Sequence, residues 1–386
     1  MTINKKKIIF YWSPCLNPVG TVKSTLNSAS ALIKYKSNEY DVYLINACGE
    51  WDQYIEFIKL NKIKLINLSF KYFEYLPKRG YLQSRLSYFL IFVFSFFPLV
   101  KLLKQYKPDY VINHLITSLP LTLLFFFKFQ SKFILRISGY PKLNKVRKNF
   151  WKGVSNKLYC ITSPTEELKE KLVKFNIFQK KKIFFLPDAI INIKDFIKKK
   201  NSKFEEFRRQ KDKKIIFAAG RLTKQKNFSY LIDEFLEFSS KNDEFILIIL
   251  GDGEEMKLLK QKIIEKKMSD KIILKGHVEN IYKYFKFGDL FILSSKWEEV
   301  GFVIVEAAIS NLFVISSDCP NGPSEFLDYG RNGILFKNNK RGELCKALHK
   351  YLSLNEKQSM RIKLKKNTNK YTMFRHYKIL KKILTN

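Results

Sequence analysis

Apolar residues in this chain gather in short runs of four to six, separated by stretches in which they recur every three to four positions. That alternation predicts strands joined by helices. In the second half the runs are Lys214–Ala219, Phe245–Leu250, Lys271–Lys275, Leu290–Leu293 and Leu312–Ile315, with helical periodicity at Phe228–Phe238, Glu254–Lys267 and Val303–Ile309. The run FILIIL at 245–250 has no polar interruption, which fits a strand covered on both faces. Strand and helix in regular alternation imply parallel βαβ units.

The first half repeats the pattern less cleanly, with candidate strands at Lys7–Trp12, Asp41–Asn46, Lys64–Leu68, Asp109–Asn113, Phe133–Ile137, Leu158–Ile161 and Ile183–Leu186. Helices are expected to begin near Val22 and near Thr165, where Ser163-Pro164-Thr165-Glu166-Glu167 is an initiation signal. Residues 188–213 are charged and lack a sustained apolar pattern, so they read as a linker. The expected organisation is an α/β domain over 1–187, a second over 214–365, and a C-terminal helix over 366–386 packing back on the first domain. Two longer apolar runs, Tyr88–Val100 and Leu115–Phe127, fall short of the roughly 20 residues that cross a bilayer, and each contains a proline. They read as buried core helices, with insertion of the first into a membrane interface as the alternative, because lysines and arginines flank it.

Composition sharpens this picture in two ways. The 386 residues suit two α/β domains, and an apolar fraction of 46% supplies two cores. The formal charge of +36 is large and divided between the halves. Part of it accompanies the abundance of Lys, Asn, Ile and Phe that an AT-rich genome favours, and the rest suits anionic partners: a nucleoside diphosphate, a lipid-linked phosphate or an anionic membrane surface. Five scattered cysteines without a C-x-x-C pair suggest a reducing compartment, hence the cytoplasm, and no zinc site. The apolar start Ile8–Trp12 ends at Ser13-Pro14, too short for a signal-peptide core, and reads as the first strand.

The residues that carry chemistry collect in the turns after the second-half strands. Gly220-Arg221-Leu222-Thr223-Lys224-Gln225-Lys226-Asn227 follows the first, Gly251-Asp252-Gly253-Glu254 the second, Gly276-His277 the third, Ser294–Glu298 the fourth and Ser316-Ser317-Asp318 the fifth. In an open parallel sheet this carboxyl edge is where ligands bind. Gly220 permits a tight turn, Arg221 offers a planar fork of donors for phosphate oxygens, and Lys226 adds a point charge. Gly301 allows close backbone approach at the start of a helix, whose free amides suit an anion. Glu306, one turn into that helix, is suited to ribose hydroxyls, and Glu298 to hydroxyls of a sugar. Each of these features alone is as well explained by surface charge.

Taken together, GRLTKQKN (220–227), LGDGEE (250–255), GHVEN (276–280), SSKWEEVGFVIVEAA (294–308), ISSDCPNGPSE (315–325) and YGRNGILF (329–336) resemble the retaining glycosyltransferases of family 4, group 1, in order and over about 115 residues. The resemblance implies the α/β GT-B fold, two Rossmann-like domains facing each other across a cleft. It implies that Arg221 and Lys226 bind the donor diphosphate, that Glu306 holds the ribose, and that Glu298 contacts the donor sugar. It also implies that backbone near Val300, Gly301, Phe302 and Val303 meets sugar and phosphate, and that His277 lies beside the base. The family's E-G-F-G wording is altered here, so Glu299 is a second candidate for the sugar contact. In the first half, Gly20 in Asn17-Pro18-Val19-Gly20-Thr21 is expected to approach the diphosphate through its amide. His114 stands where relatives often carry a histidine at the reacting sugar, and Arg136, with Lys142 near it, is a candidate for an anionic acceptor.

The implied reaction moves a sugar from a UDP- or GDP-sugar to a hydroxyl of a growing glycan, with a lipid-linked bacterial surface polysaccharide as the expected acceptor. Configuration would be retained and no metal or other cofactor needed, since no D-x-D triplet occurs. A GT-B sugar-nucleotide epimerase and a non-catalytic scaffold remain as alternatives. A basic nucleic-acid-binding protein would account for the charge, but no helix-turn-helix or RNA-recognition signature is present.

Overall fold

The computed structural model describes residues 5–16, 20–68, 74–77, 81–204 and 212–385. They form two compact units: one from residues 1–190 together with 372–386, the other from 191–371.

The first unit is built on a seven-stranded parallel sheet. Its strands are β1 (Lys7–Trp12), β2 (Tyr40–Asn46), β3 (Lys64–Asn67), β4 (Tyr110–Asn113), β5 (Lys132–Arg136), β6 (Cys160–Ser163) and β7 (Ile183–Phe185), in the order β3-β2-β1-β4-β5-β6-β7. Ile9, Phe10, Tyr11 and Trp12 are all fully buried, as expected of a central strand covered on both faces. The chain's last helix, Met373–Thr385, belongs to this unit: Met373, Tyr377, Leu380, Ile383 and Leu384 pack with Ile9, Tyr11 and Leu32 in one apolar cluster.

The second unit has a six-stranded parallel sheet: β8 (Lys214–Ala219), β9 (Phe245–Leu250), β10 (Ile272–Gly276), β11 (Leu290–Leu293), β12 (Phe313–Ser317) and β13 (Ile334–Phe336). The order is β10-β9-β8-β11-β12-β13. After β10 the chain crosses to the far side of β8, so the winding reverses between β8 and β11. At such a reversal the helices on either side diverge and leave a crevice at the carboxyl ends of the strands.

Three features depart from the pattern-based expectations. Strand β13 is only three residues long, too brief for a periodicity to register. Within the stretch read as linker, Ile193–Asn201 forms a helix; only Phe196 on it is buried, so its pattern is mostly polar. The apolar run at Tyr88–Val100 is the middle of a 26-residue helix, Tyr81–Tyr106, because the helix formers on both sides, Gln83 to Arg85 and Lys101 to Gln105, extend it. Part of that run is exposed rather than core. The second run is shorter as a helix, Ser118–Phe126.

Candidate functional site

The loops after β8, β9 and β10 are joined by their own backbone. Gly220 N–H donates to Leu250 O at 3.0 Å, Leu222 N–H to Asp252 O at 2.9 Å, Glu255 N–H to Leu222 O at 3.0 Å, and Gly251 N–H to Gly276 O at 2.7 Å. Gly251 sits at φ +143°, and a Cβ there would lie 1.9 Å from Gly220 O, so the two loops meet only because this residue has no side chain. At Gly220 a Cβ would come within 3.0 Å of Lys226 Cε. The bare turn is what lets the Lys226 stem lie across it.

Lys226 then reaches over the reversal of the sheet. Its Nζ donates to Glu298 Oε1 at 2.5 Å, and the two side chains are 16% and 8% exposed. Ser295 Oγ donates to the same oxygen at 2.5 Å. Glu298 Oε2 accepts nothing from the described residues. Further bonds fix the two loops against each other: Lys296 N–H to Gln225 O at 2.8 Å, Ser294 Oγ to Lys226 O at 2.8 Å, and Gln225 Nε2 to Trp297 O at 2.8 Å. A buried cation and carboxylate that compensate each other are held ready without the cost of an isolated buried charge.

The acidic run is resolved by burial: Glu298 points inward and Glu299 is exposed. Val300 is fully buried, so only its backbone is available to a ligand. Gly301, at φ +75°, turns the chain into the helix Phe302–Ile309. The Phe302 and Val303 N–H groups at its start have no acceptor among the described residues. Glu306, in the second turn, is 7% exposed, and its Oε1 accepts from Tyr282 Oη at 3.3 Å. Burial, and then the Glu306 charge, hold the Tyr282 hydroxyl well above its ordinary pKa, so it stays a donor. Asn280 Oδ1 caps the short helix that carries Tyr282, accepting from the Tyr282 N–H at 3.2 Å.

Arg221 is exposed on the rim and has no hydrogen bond or ion pair among the described residues; His277 is exposed at the end of β10. The second sheet therefore gathers Gly220, Lys226, Glu298, Gly301 and Glu306 on one carboxyl edge, with Arg221 and His277 free beside them.

The first-unit candidates fare differently. His114 follows β4 and is 6% exposed. Thr25 Oγ1 donates to Thr21 O at 2.9 Å and lies 3.1 Å from His114 Nδ1. The hydroxyl's single proton is thereby used, so Nδ1 carries the ring proton and Nε2 the lone pair. Burial, followed by the Arg136 charge, drives the imidazole pKa well below 6.5, and His114 is a neutral base. Gly20 opens the helix Gly20–Lys36 and is exposed; residues 17–19 lie outside the described residues.

Arg136 is a correction. It is 2% exposed, donates to Asp188 Oδ1 at 2.6 Å and to Leu186 O at 2.9 Å, and so spends its guanidinium inside the unit rather than on an acceptor. Ser24 Oγ donates to the same Asp188 oxygen at 2.5 Å. Lys142 is exposed.

Two site residues were not anticipated. Ser295 orients Glu298, and its signal was available: it is a small polar residue two positions past the apolar strand LFIL, at the sheet edge. Tyr282 had no such signal, since it reads as an ordinary aromatic in a helix.

The model for glycosyl transferases group 1 matches residues 199–371. Among curated proteins the chain is similar to an uncharacterized glycosyltransferase of Methanocaldococcus jannaschii, at 29% identity over 62% of this chain and 66% of that protein. It is also similar to an alpha-monoglucosyldiacylglycerol synthase of Acholeplasma laidlawii, at 29% over 48% of this chain and 47% of that protein. The chain thus matches about half to two thirds of the length of these relatives. Its fold is similar to that of Anabaena HepE in complex with UDP and glucose, with a TM-score of 0.72, 12% identity, and coverage of 98% of this chain and 99% of that one.

Proposed function

We propose that this chain, which belongs through residues 199–371 to the glycosyl transferases group 1, moves a sugar from a UDP- or GDP-linked donor to a hydroxyl of a growing glycan. The fold is α/β of the GT-B class, and the chain is a glycosyltransferase by family. The observation that carries the finer reading is the Lys226–Glu298 contact across the sheet reversal, with Glu298 Oε2 left open beside it. A diphosphate would take Lys226, Arg221 and the free N–H groups of Phe302 and Val303 as donors. The sugar it bears would meet Glu298 Oε2, and Glu306 would hold the ribose with Tyr282 steadying it.

In this reading the bond from C1 to the phosphate oxygen breaks, C1 bonds to the acceptor oxygen on the same face, and the acceptor proton passes to the departing phosphate. Lys226 and Arg221 stabilise the charge that grows on that phosphate, a task in which one removed donor costs about 100- to 1,000-fold in kcat. His114, neutral and with Nε2 unprotonated, is suited to accept a hydroxyl proton in hydrogen bonding, and the Gly20 amide to approach the diphosphate. The Acholeplasma relative supports an acceptor with a lipid part, and HepE supports UDP as the nucleotide. We place the reaction in the cytoplasm, in keeping with five free cysteines, and expect no metal requirement, so EDTA leaves the rate unchanged.

The test is turnover. Lys226→Ala and Glu306→Ala, assayed for transfer or for slow hydrolysis of UDP- and GDP-sugars, should each lose at least about 100-fold in kcat while the far-UV spectrum stays that of the wild type. Wild-type rates in both variants would refute the site. An epimerase would instead change the configuration of the donor's sugar with no acceptor present.

A further inference from the structure

The helix Tyr81–Tyr106 is inverted over its first four turns. Ser87, Ile91 and Ser95 face inward and are fully buried, with Ser87 Oγ donating to Pro77 O at 2.6 Å. Leu82, Leu86, Phe89, Val93 and Phe97, which recur at intervals of four, three, four and four, form the outward face. They are 79%, 52%, 62%, 46% and 75% exposed. A helix that only had to fold would put its serines in water and its phenyl rings in the core. This stripe is about 22 Å long at 1.5 Å per residue, and it contains no polar side chain. The neighbouring helix Ser118–Phe126 adds exposed rings at Phe125 and Phe126.

Charge says what covers this face. Residues 75–165 hold 15 lysines and arginines and a single acid, Asp109. Cations stand beside these rings: Lys157 Nζ donates to Leu124 O and lies 5.7 Å from the exposed Phe125 ring, and Lys104 lies 5.4 Å from the half-buried Phe127 ring next to it. The helix Lys145–Ser155, which stacks Phe150 on Phe125, carries Lys148 and Lys152 on its exposed side. A second copy of this chain would set one such basic stretch against another, and like charges would oppose the contact. The helix is long and apolar enough to cross a membrane by length and composition, but its inner side, through Ile91, Leu99 and Leu103, is committed to the unit's core, which leaves one face to offer.

We infer that the first unit docks on an anionic lipid surface, laying the Leu82–Phe97 stripe into the interface while the surrounding lysines meet lipid phosphates. Apolar area and cationic rim together are what bind a helix flat to such a surface. Each basic residue near it adds roughly a fivefold gain in affinity at physiological salt. The inference is independent of which sugar the chain transfers, or whether it transfers one.

Flotation of the full chain with vesicles tests it. The protein should float with vesicles of phosphatidylcholine containing about a third phosphatidylglycerol, and not with pure phosphatidylcholine. Floating should fall at least about tenfold for the triple variant Phe89→Ser, Val93→Ser, Phe97→Ser, and also for Lys101→Glu, Lys148→Glu, Lys152→Glu. Far-UV circular dichroism and the urea midpoint of these variants, measured alongside, should match wild type and show that the first unit folds. Equal flotation on both vesicle types, or undiminished flotation of the triple serine variant, would overturn the proposal. So would a wild-type dimer that the serine variant converts to monomer, or retention in the vesicles after alkaline carbonate washing, which marks a span.

Discussion

Lys226 shows how a site can be charged and compact before any ligand arrives. Its ammonium is compensated by Glu298 Oε1, which Ser295 also engages, and the carboxylate's other oxygen stays open. Each half of the pair is thus oriented by the other, and a charged hydrogen bond of this kind contributes about 1.5–3 kcal/mol. The type and position of these residues were legible in the sequence because six motifs fall in order after five apolar strands. Their pairing was not, since nothing in the spacing of residues 226 and 298 says that β8 and β11 are neighbours. Arg136 was misread for a related reason: a strand-end arginine looks alike whether it meets solvent or a carboxylate fifty residues on. Its partner makes a prediction. Asp188→Ala leaves the Arg136 charge buried with no counter-charge, and should lower unfolding free energy by about 3–5 kcal/mol in urea titrations; a loss under about 1 kcal/mol would mean that the pair is not buried in solution.

At the level of elements, alternation of apolar runs located every strand among the described residues except β13, because buried parallel strands carry continuous apolar sequence. Helix ends were harder to read, as capping depends on backbone geometry more than on residue type. The last helix, Met373–Thr385, holds a device with a pH signature. His376 is 1% exposed; its Nδ1 lies 2.6 Å from Pro187 O and its Nε2 2.7 Å from Ser28 Oγ, which in turn lies 2.8 Å from Tyr11 Oη. Pro187 O can only accept, so Nδ1–H donates to it and Nε2 accepts from Ser28. Burial is the main cause that pushes the His376 pKa down from 6.5 to about 4. The unfolded chain then binds a proton below pH 6.5 that the folded one refuses until about pH 4. Stability is therefore lost as pH falls through that window, by up to about 1.4 kcal/mol per pH unit from this group. Urea midpoints taken from pH 7 to pH 5 should decline, and His376→Gln should flatten the decline; an equal slope in the variant would remove the histidine from the account.

Over the whole molecule, two parallel sheets with short connections bury enough apolar surface for each unit to hold its own core, and the class was legible from alternation alone. What composition hid was the distribution of charge. Counted by halves, the excess of +36 looks diffuse, yet the segment 75–165, which holds the exposed apolar stripe, carries fifteen lysines and arginines and one acid in its sequence. Periodicity points the wrong way for that stripe, because Ser87 and Ser95 mark a polar side that the packing of Ile91, Leu99 and Leu103 turns inward. The central claim concerns the other unit: the carboxyl edge of its sheet holds a nucleoside diphosphate. Calorimetric titration of the full chain with UDP and with GDP tests it most directly, using Lys226→Ala and, as a control at the opposite end of β8, Lys214→Ala. At least one nucleotide should bind, with affinity lowered about tenfold or more in Lys226→Ala and unchanged in Lys214→Ala. Binding of neither nucleotide, or equal affinity in Lys226→Ala and wild type, would contradict the claim.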